Sequence, residues 1–169
     1  MREENIRKTK EWLRSVLEAA AIIIIMFVFL WPAKVEGASM CPSVNDDDRV
    51  AICRFAAAAG LYGRGDLVVF NRDDYEENMI KRIIAVGGDT IHIKDGGVYV
   101  NGELLEEDYI QGRTDGDVYM LVPADCVFVM GENREKSIDS RSFGPVRKDD
   151  IYGKVLIRFF PFDEITIFA

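Results

Sequence analysis

Two patterns of hydrophobic residues divide the chain into an N-terminal segment and a longer body. From Trp12 to Trp31 the sequence is mostly apolar, and residues 19–33 form an uncharged run. Pro32 lies near the end of this run and predicts that a helix ends there. Farther along, short runs rich in valine and isoleucine alternate with polar turns. The pattern predicts one N-terminal helix followed by a β-rich domain.

The short apolar runs predict β-strands because glycine, asparagine or aspartate bounds most of them. The predicted strands cover residues 49–53, 65–70, 79–86, 91–94, 98–100, 126–130 and 153–160. Residues 95–97, Asp-Gly-Gly, predict a hairpin turn between two of them. We expect a mainly β, antiparallel domain over residues 33–169, with a small hairpin insertion at about 90–123.

The N-terminal helix reaches the ~20 residues of a membrane span only when it is counted from Trp12. Arg14 and Glu18 lie one turn apart near its entrance, where they can pair or extend toward water. A cleaved signal peptide is the alternative, but cleavage among the small residues 33–38 would leave the following motif at a frayed terminus. We therefore expect a retained transmembrane anchor over 12–32. The basic residues before the helix predict that the stub over 1–11 is cytoplasmic and that the body is extracytoplasmic.

Composition excludes several classes of function. The net charge is −8, which argues against a nucleic-acid partner. The three cysteines, Cys41, Cys53 and Cys126, show neither zinc-ligand spacing nor a complete disulfide framework, and we expect buried thiols. The single histidine, His92, alternates with isoleucines and should face solvent from a strand. No metal or organic cofactor is implied.

Ser39 and Lys81 are the candidate nucleophile and base. Ser39 lies in the Gly- and Pro-containing run VEGASMCP, where an ordinary loop serine is common. Lys81 lies among isoleucines and valines, either as an edge-strand lysine or as a buried amine. Burial would lower its pKa from ~10.4, so that it could accept a proton near neutral pH. Arg82 cannot do so, and without a usable histidine a Ser/Lys pair is the combination left.

A third polar block covers residues 131–141, GENREKSIDSR. Such a run after a buried strand is normally an exposed loop. Ser137 could nevertheless bond a lysine amine and orient it, and Asp139 with Arg141 could form a charge-assisted clamp that holds the loop.

The order and spacing of these blocks resemble the bacterial type I signal peptidases, in their short Gram-positive-like form. These are membrane-anchored Ser/Lys endopeptidases. The similarity rests on the N-terminal anchor and on residues 37–42, 65–70, 80–89 and 131–146. It implies removal of N-terminal signal peptides from exported preproteins, after small-X-small sites at the outer face of the membrane. The implied partners are signal peptides and the lipid bilayer, with contact to the secretion machinery left open.

The resemblance also implies roles for individual residues. Ser39 matches the nucleophile and Lys81 the general base. Ser137 matches the hydroxyl that orients the lysine, and Asp139 and Arg141 match a supporting salt bridge.

Gly37 and Glu132 are among the positions that depart from the more common family pattern. The backbone N–H of Ser39 is expected to be one oxyanion donor, but Gly37 stands where many relatives carry a second, serine donor. Shorter relatives also have glycine there, so a backbone or water donor is expected to substitute. Glu132 stands where an aspartate is usual.

Shallow pockets for small substrate side chains are implied by the same similarity, with the substrate added as an extended strand. The residues that would line them, each of which could equally be core, are Val35, Met40, Val44, Val50, Val69 and Ile80. Two other functions remain open: a self-cleaving Ser/Lys regulator, and a non-catalytic membrane-tethered domain that binds peptides.

Overall fold

A computed structural model describes residues 2–72 and 75–168 of the protein. The helices are α1 (Arg2–Phe29), α2 (Arg54–Ala58) and α3 (Ser140–Phe143), with a short 3₁₀ helix at Lys148–Asp150. The strands are β1 (Leu30–Lys34), β2 (Arg49–Cys53), β3 (Leu67–Arg72), β4 (Tyr75–Val86), β5 (Thr90–Lys94), β6 (Gly97–Val100), β7 (Glu103–Leu104), β8 (Val118–Leu121), β9 (Cys126–Met130), β10 (Val146–Arg147), β11 (Ile151–Phe160) and β12 (Thr166–Ile167).

The larger of two sheets forms the body of the protein. Within the described residues it has eight strands in the order β1-β2-β11-β3-β4-β9-β10, with β12 paired to β11. Every named strand pair in it is antiparallel. The prediction of a mainly β, antiparallel protein is confirmed.

A smaller sheet occupies the segment for which the sequence predicts a hairpin insertion. Its strands run in the order β7-β6-β5-β8. Ile91 and Ile93 belong to the same buried cluster as Phe128 and Met130 of β9, so this sheet packs its inner face on the larger one. His92 lies on the other face, partly exposed, with its ring centroid 5.2 Å from that of Tyr119.

The N-terminal helix ends earlier than the sequence predicts. α1 stops at Phe29, and Trp31 and Pro32 belong to β1, where they pair with β2. Proline is tolerated there because β1 is the edge strand of the sheet and needs no donor on its open side. Of the helices in the described part of the chain, none is both long enough and apolar enough to cross a membrane.

The cysteines differ in burial, contrary to the expectation that all three are buried. Cys126 is buried, whereas Cys41 and Cys53 are partly exposed, and all three thiols are free. They therefore form no cross-link in the structure.

Candidate active site

Ser39 and Lys81 lie in direct contact. Ser39 is on the loop between β1 and β2, residues 35–48, which we call the serine loop. Lys81 is on β4, where it pairs with Val68 of β3. The Lys81 Nζ donates a hydrogen bond of 2.7 Å to Ser39 Oγ. The serine loop is anchored in the core, because its residues Met40 and Val44 are buried there. Tertiary packing thus brings together the two residues that the sequence singled out.

Burial determines the state of the lysine. Lys81 is only 4 % exposed, which distinguishes it from a solvent-facing edge-strand lysine. Loss of hydration lowers its pKa from 10.5 to about 8, while the nearby Asp139 carboxylate opposes the shift. An amine with such a pKa is partly neutral near physiological pH and can accept a proton.

The segment over residues 131–141, which we call the polar loop, packs directly on the serine. Asn133 N–H donates to Ser39 O at 3.0 Å. A Cβ added at Gly131 would lie 2.6 Å from Ser39 O and would also overlap the Ser137 side chain. Only glycine allows this close approach between the two loops.

The predicted clamp between Asp139 and Arg141 is present in the polar loop. Arg141 donates from Nε to Asp139 Oδ1 and from Nη2 to Oδ2, each at 2.9 Å. Asp139 also accepts from Gly131 N–H at 3.0 Å. Burial would raise the pKa of this carboxyl, but the Arg141 and Gly131 hydrogen bonds outweigh it and hold the pKa below its usual value. The carboxylate stays charged and fixes both ends of the loop.

Ser137 does not make the hydrogen bond to a lysine amine that the sequence suggested. Its Oγ is buried, and it has no hydrogen-bond partner among the described residues. The hydroxyl is close enough to Asp139 to help lower the pKa of that carboxyl. A buried hydroxyl without a hydrogen-bond partner destabilises the folded protein, so the Ser137 hydroxyl favours any partner that comes within reach.

The two candidate oxyanion donors differ in availability. Gly37 N–H donates to Asp46 Oδ1 at 2.8 Å and is therefore occupied. Ser39 N–H makes no hydrogen bond within the described part of the chain. Gly37 has a φ of 91°, a conformation that favours glycine, and open space where a side chain would project.

A cleft of about 720 Å³ opens beside the serine and the lysine. Four of the predicted pocket residues line it: Val35, Met40, Val69 and Ile80. Val44 and Val50 instead lie fully buried in the core and do not line it. The lining also includes Tyr75, Asn78 and Tyr152, for which the sequence carries no distinguishing signal.

One edge of β4 is open along this cleft. β4 pairs with β3 from Tyr75 onward, but its pairing with β9 begins only at Arg82. Residues 75–81 thus have one edge that pairs with no strand in the described ranges, and several of them line the cleft. Such an edge can accept an extended peptide as an added strand.

Glu132 is a further site residue, which the sequence marks only as a departure from aspartate. Its fully buried carboxylate pairs through Oε1 with Arg82 and accepts from Ser43 N–H at 3.2 Å through Oε2. Arg82 follows Lys81 in β4, and Ser43 belongs to the serine loop. Glu132 therefore joins the two segments that carry the nucleophile and the amine.

Comparisons with known proteins identify the family of the chain. The family model described as "Signal peptidase, peptidase S26" matches residues 9–160. Signal peptidase I S of Bacillus subtilis (strain 168) is 34 % identical over 98 % of this chain and 98 % of that protein. Signal peptidase IB of Staphylococcus aureus (strain Mu50) is 34 % identical over 91 % of each. A crystal structure of a signal peptidase I from Enterococcus faecalis V583 is 28 % identical and covers 56 % of this chain and 96 % of that one, with a TM-score of 0.48. The chain belongs to the signal peptidase family, peptidase S26.

Proposed function

We propose that the protein is a serine endopeptidase that removes signal peptides from preproteins by means of a Ser39–Lys81 dyad. The observation that carries the proposal is the 2.7 Å contact between Lys81 Nζ and Ser39 Oγ beside an open cleft. The relatives that span nearly the whole chain are named signal peptidase I.

In the proposed reaction, neutral Lys81 accepts the Ser39 Oγ proton as Oγ attacks the scissile carbonyl carbon. The carbon–nitrogen bond then breaks, and the protonated amine returns that proton to the leaving nitrogen. A water molecule hydrolyses the resulting ester, again with Lys81 as the base. The short Nζ–Oγ distance and the lowered pKa of Lys81 support this assignment.

The oxyanion that forms on the carbonyl oxygen needs preorganised donors. Ser39 N–H is the proposed first donor, since it lacks an acceptor among the described residues. Gly37 N–H could become a second only by leaving Asp46, so a water or another backbone donor is the simpler choice.

The polar loop is proposed to orient the base. Ser137 would turn its unpartnered hydroxyl toward the Lys81 amine, while the Asp139–Arg141 pair fixes the loop in place. The Asp139 carboxylate also opposes the lowering of the Lys81 pKa.

The substrate is proposed to bind as an extended strand along the open edge of β4. Its alternate side chains would enter shallow pockets walled by Val35, Met40, Val69 and Ile80, which favours small residues on both sides of a variable one. Val44 and Val50 would act indirectly, by supporting the serine loop from the core.

A membrane location is proposed for the whole protein, with residues 1–11 in the cytoplasm and the body outside. In α1, Trp12, Leu13, Val16 and Leu17 are all at least 43 % exposed. Exposed apolar side chains in such proximity favour a lipid or protein neighbour over water. The uncharged run of residues 19–33 and the basic N-terminal flank support a bilayer in this orientation.

The test is cleavage of a purified preprotein by the parent protein, Ser39→Ala and Lys81→Ala. Each substitution should lower kcat at least about a thousandfold, because the two groups act as a unit. Exposed Ser142→Ala and Lys94→Ala are matched controls and should cleave like the parent. Thermal unfolding of all variants shows whether each is folded.

The outcomes separate the three functions. Parental activity in both dyad variants would rule out the proposed mechanism. Cleavage of its own chain alone would indicate a self-cleaving regulator, and peptide binding without cleavage would indicate a non-catalytic domain.

A further inference from the structure

The segment that connects β7 to β8, residues 105–117, leaves the small sheet and lies against the polar loop. We call this segment the strap. Its Gln111 N–H donates to Glu132 O at 2.8 Å, and Gln111 O accepts from Arg134 N–H at 2.9 Å. The strap therefore pairs with the polar loop through its backbone, as one short parallel bridge.

Arg134 fastens the strap to the polar loop from inside. Its side chain is fully buried and donates to Glu107 Oε2 at 3.0 Å, to Thr114 Oγ1 at 2.5 Å and to Gly131 O at 3.1 Å. The Glu107 side chain is itself only 6 % exposed. One guanidinium thus joins both ends of the strap to Gly131, where an added Cβ would lie 2.6 Å from Ser39 O.

Tyr109 extends the same network to β4. Its hydroxyl donates to Glu107 Oε1 at 2.9 Å, and its ring lies 4.2 Å from the Arg82 guanidinium carbon. Arg82 is paired with Glu132 and directly follows Lys81. The strap therefore contacts β4, which carries Lys81, and the polar loop, which packs on Ser39. It does not line the cleft.

Folding stability alone gives a weak reason for this arrangement. A buried ion pair loses so much hydration that well-packed apolar residues often serve stability equally well. The Glu107–Arg134 pair instead fixes the position of the strap relative to the polar loop, because a bidentate guanidinium–carboxylate contact requires a specific geometry.

We propose that Glu107 and Tyr109 are positioning residues for the reaction, which hold the polar loop against Ser39 and keep water away from Lys81. This inference rests on the proposed function. Gly131 links these groups, because its N–H donates to Asp139, its carbonyl accepts from Arg134, and a Cβ added to it would lie 2.6 Å from Ser39 O.

The pKa of Lys81 can be measured without a substrate, and it shows whether the strap holds the polar loop in place. The neighbours that face its amine are the Ser39 hydroxyl from the serine loop and the Asp139 carboxylate from the polar loop. If the polar loop loosens, water reaches the amine and its pKa moves from about 8 toward 10.5.

The experiment compares the full-length parent with Glu107→Gln, Glu107→Asp and the control Glu103→Gln. Glu103 is exposed on β7, outside the strap. Glu107→Gln should lower kcat at least about tenfold with KM unchanged, and should move the acid limb of the rate profile to higher pH. Glu107→Asp should restore part of kcat, and Glu103→Gln should match the parent.

The Lys81 pKa, followed by the NMR shift of its Cε, is the second readout. It should rise in Glu107→Gln and stay unchanged in Glu103→Gln. A lower melting temperature in Glu107→Gln with parental kcat and parental Lys81 pKa would overturn the inference. If the parent fails to cleave preproteins, the proposed function fails, while the Lys81 pKa still decides whether the strap shields the amine.

Discussion

Lys81 illustrates at the residue scale how position changes the chemistry of one side chain. A lysine in solution is charged at neutral pH, with a pKa of ~10.4. Here burial lowers the pKa to about 8, and Asp139 prevents a larger shift. An exposed lysine on an edge strand would stay charged, whereas the buried Lys81 amine is suited to take a proton from Ser39.

The pH dependence of cleavage follows from this pKa. Protonated Lys81 cannot accept the Ser39 proton, so the inactive form prevails at low pH and activity rises with pH. With a pKa of about 8, about a tenth of the enzyme has neutral Lys81 at pH 7 and about nine tenths at pH 9. We expect kcat/KM to rise roughly tenfold between these values. A rate that stays constant over this interval would contradict Lys81 as the base.

At the scale of elements, the polar loop behaves as part of the core. Glu132, Asn133, Arg134 and Asp139 are buried, although the sequence there reads as a solvated run. Each makes a hydrogen bond that ties the loop to the strap, to β4, to the serine loop or to itself. The loop owes its shape to these bonds, since it has no regular secondary structure before α3.

Gly131→Ala tests how closely this loop must approach the serine. The added methyl group would lie 2.6 Å from Ser39 O, so one of the two loops must shift. Because small displacements of reacting groups are costly, kcat should fall at least about a hundredfold. Gly63→Ala is the matched control, with no atom within 4 Å of its added Cβ, and should cleave normally. Parental kcat in Gly131→Ala would show that the close approach is dispensable.

At the scale of the whole molecule, the two sheets contribute different parts of the candidate site. The large sheet carries Lys81, the loop between its strands β1 and β2 carries Ser39, and the small sheet supplies the strap that packs on the polar loop. The sheets are joined at Asp89, which bonds Arg64 on one side and Asn101 on the other. The residues up to Arg14 carry a charge of +2, whereas the rest of the chain is acidic.

The apolar surface of α1 predicts membrane association, and the charge asymmetry predicts the orientation. The full chain, expressed in a bacterium, should sediment with membranes and resist a carbonate wash, because α1 carries an exposed apolar surface. Protease added to intact spheroplasts should digest the body, with lysed spheroplasts as the control for protease access. Recovery in the soluble fraction, or protection from external protease, would contradict the proposed orientation.

Several elements followed from the sequence alone. The predicted strands over residues 49–53 and 126–130 match β2 and β9, because continuous β-branched and apolar runs suit a buried sheet. The order of the Ser39, Lys81 and Ser137 blocks was sufficient to indicate the family, which the comparisons confirm. Local patterns determine such features because they depend on neighbouring residues only.

The tertiary structure decided the features that depend on distant residues. It buried Lys81 against Ser39, ended α1 before Pro32, engaged Gly37 N–H with Asp46 and left Ser137 without a partner among the described residues. It also gave the strap its contacts with the polar loop. Hydrophobic periodicity carries no record of these pairings, because each joins groups whose approach depends on how the sheets and loops pack together.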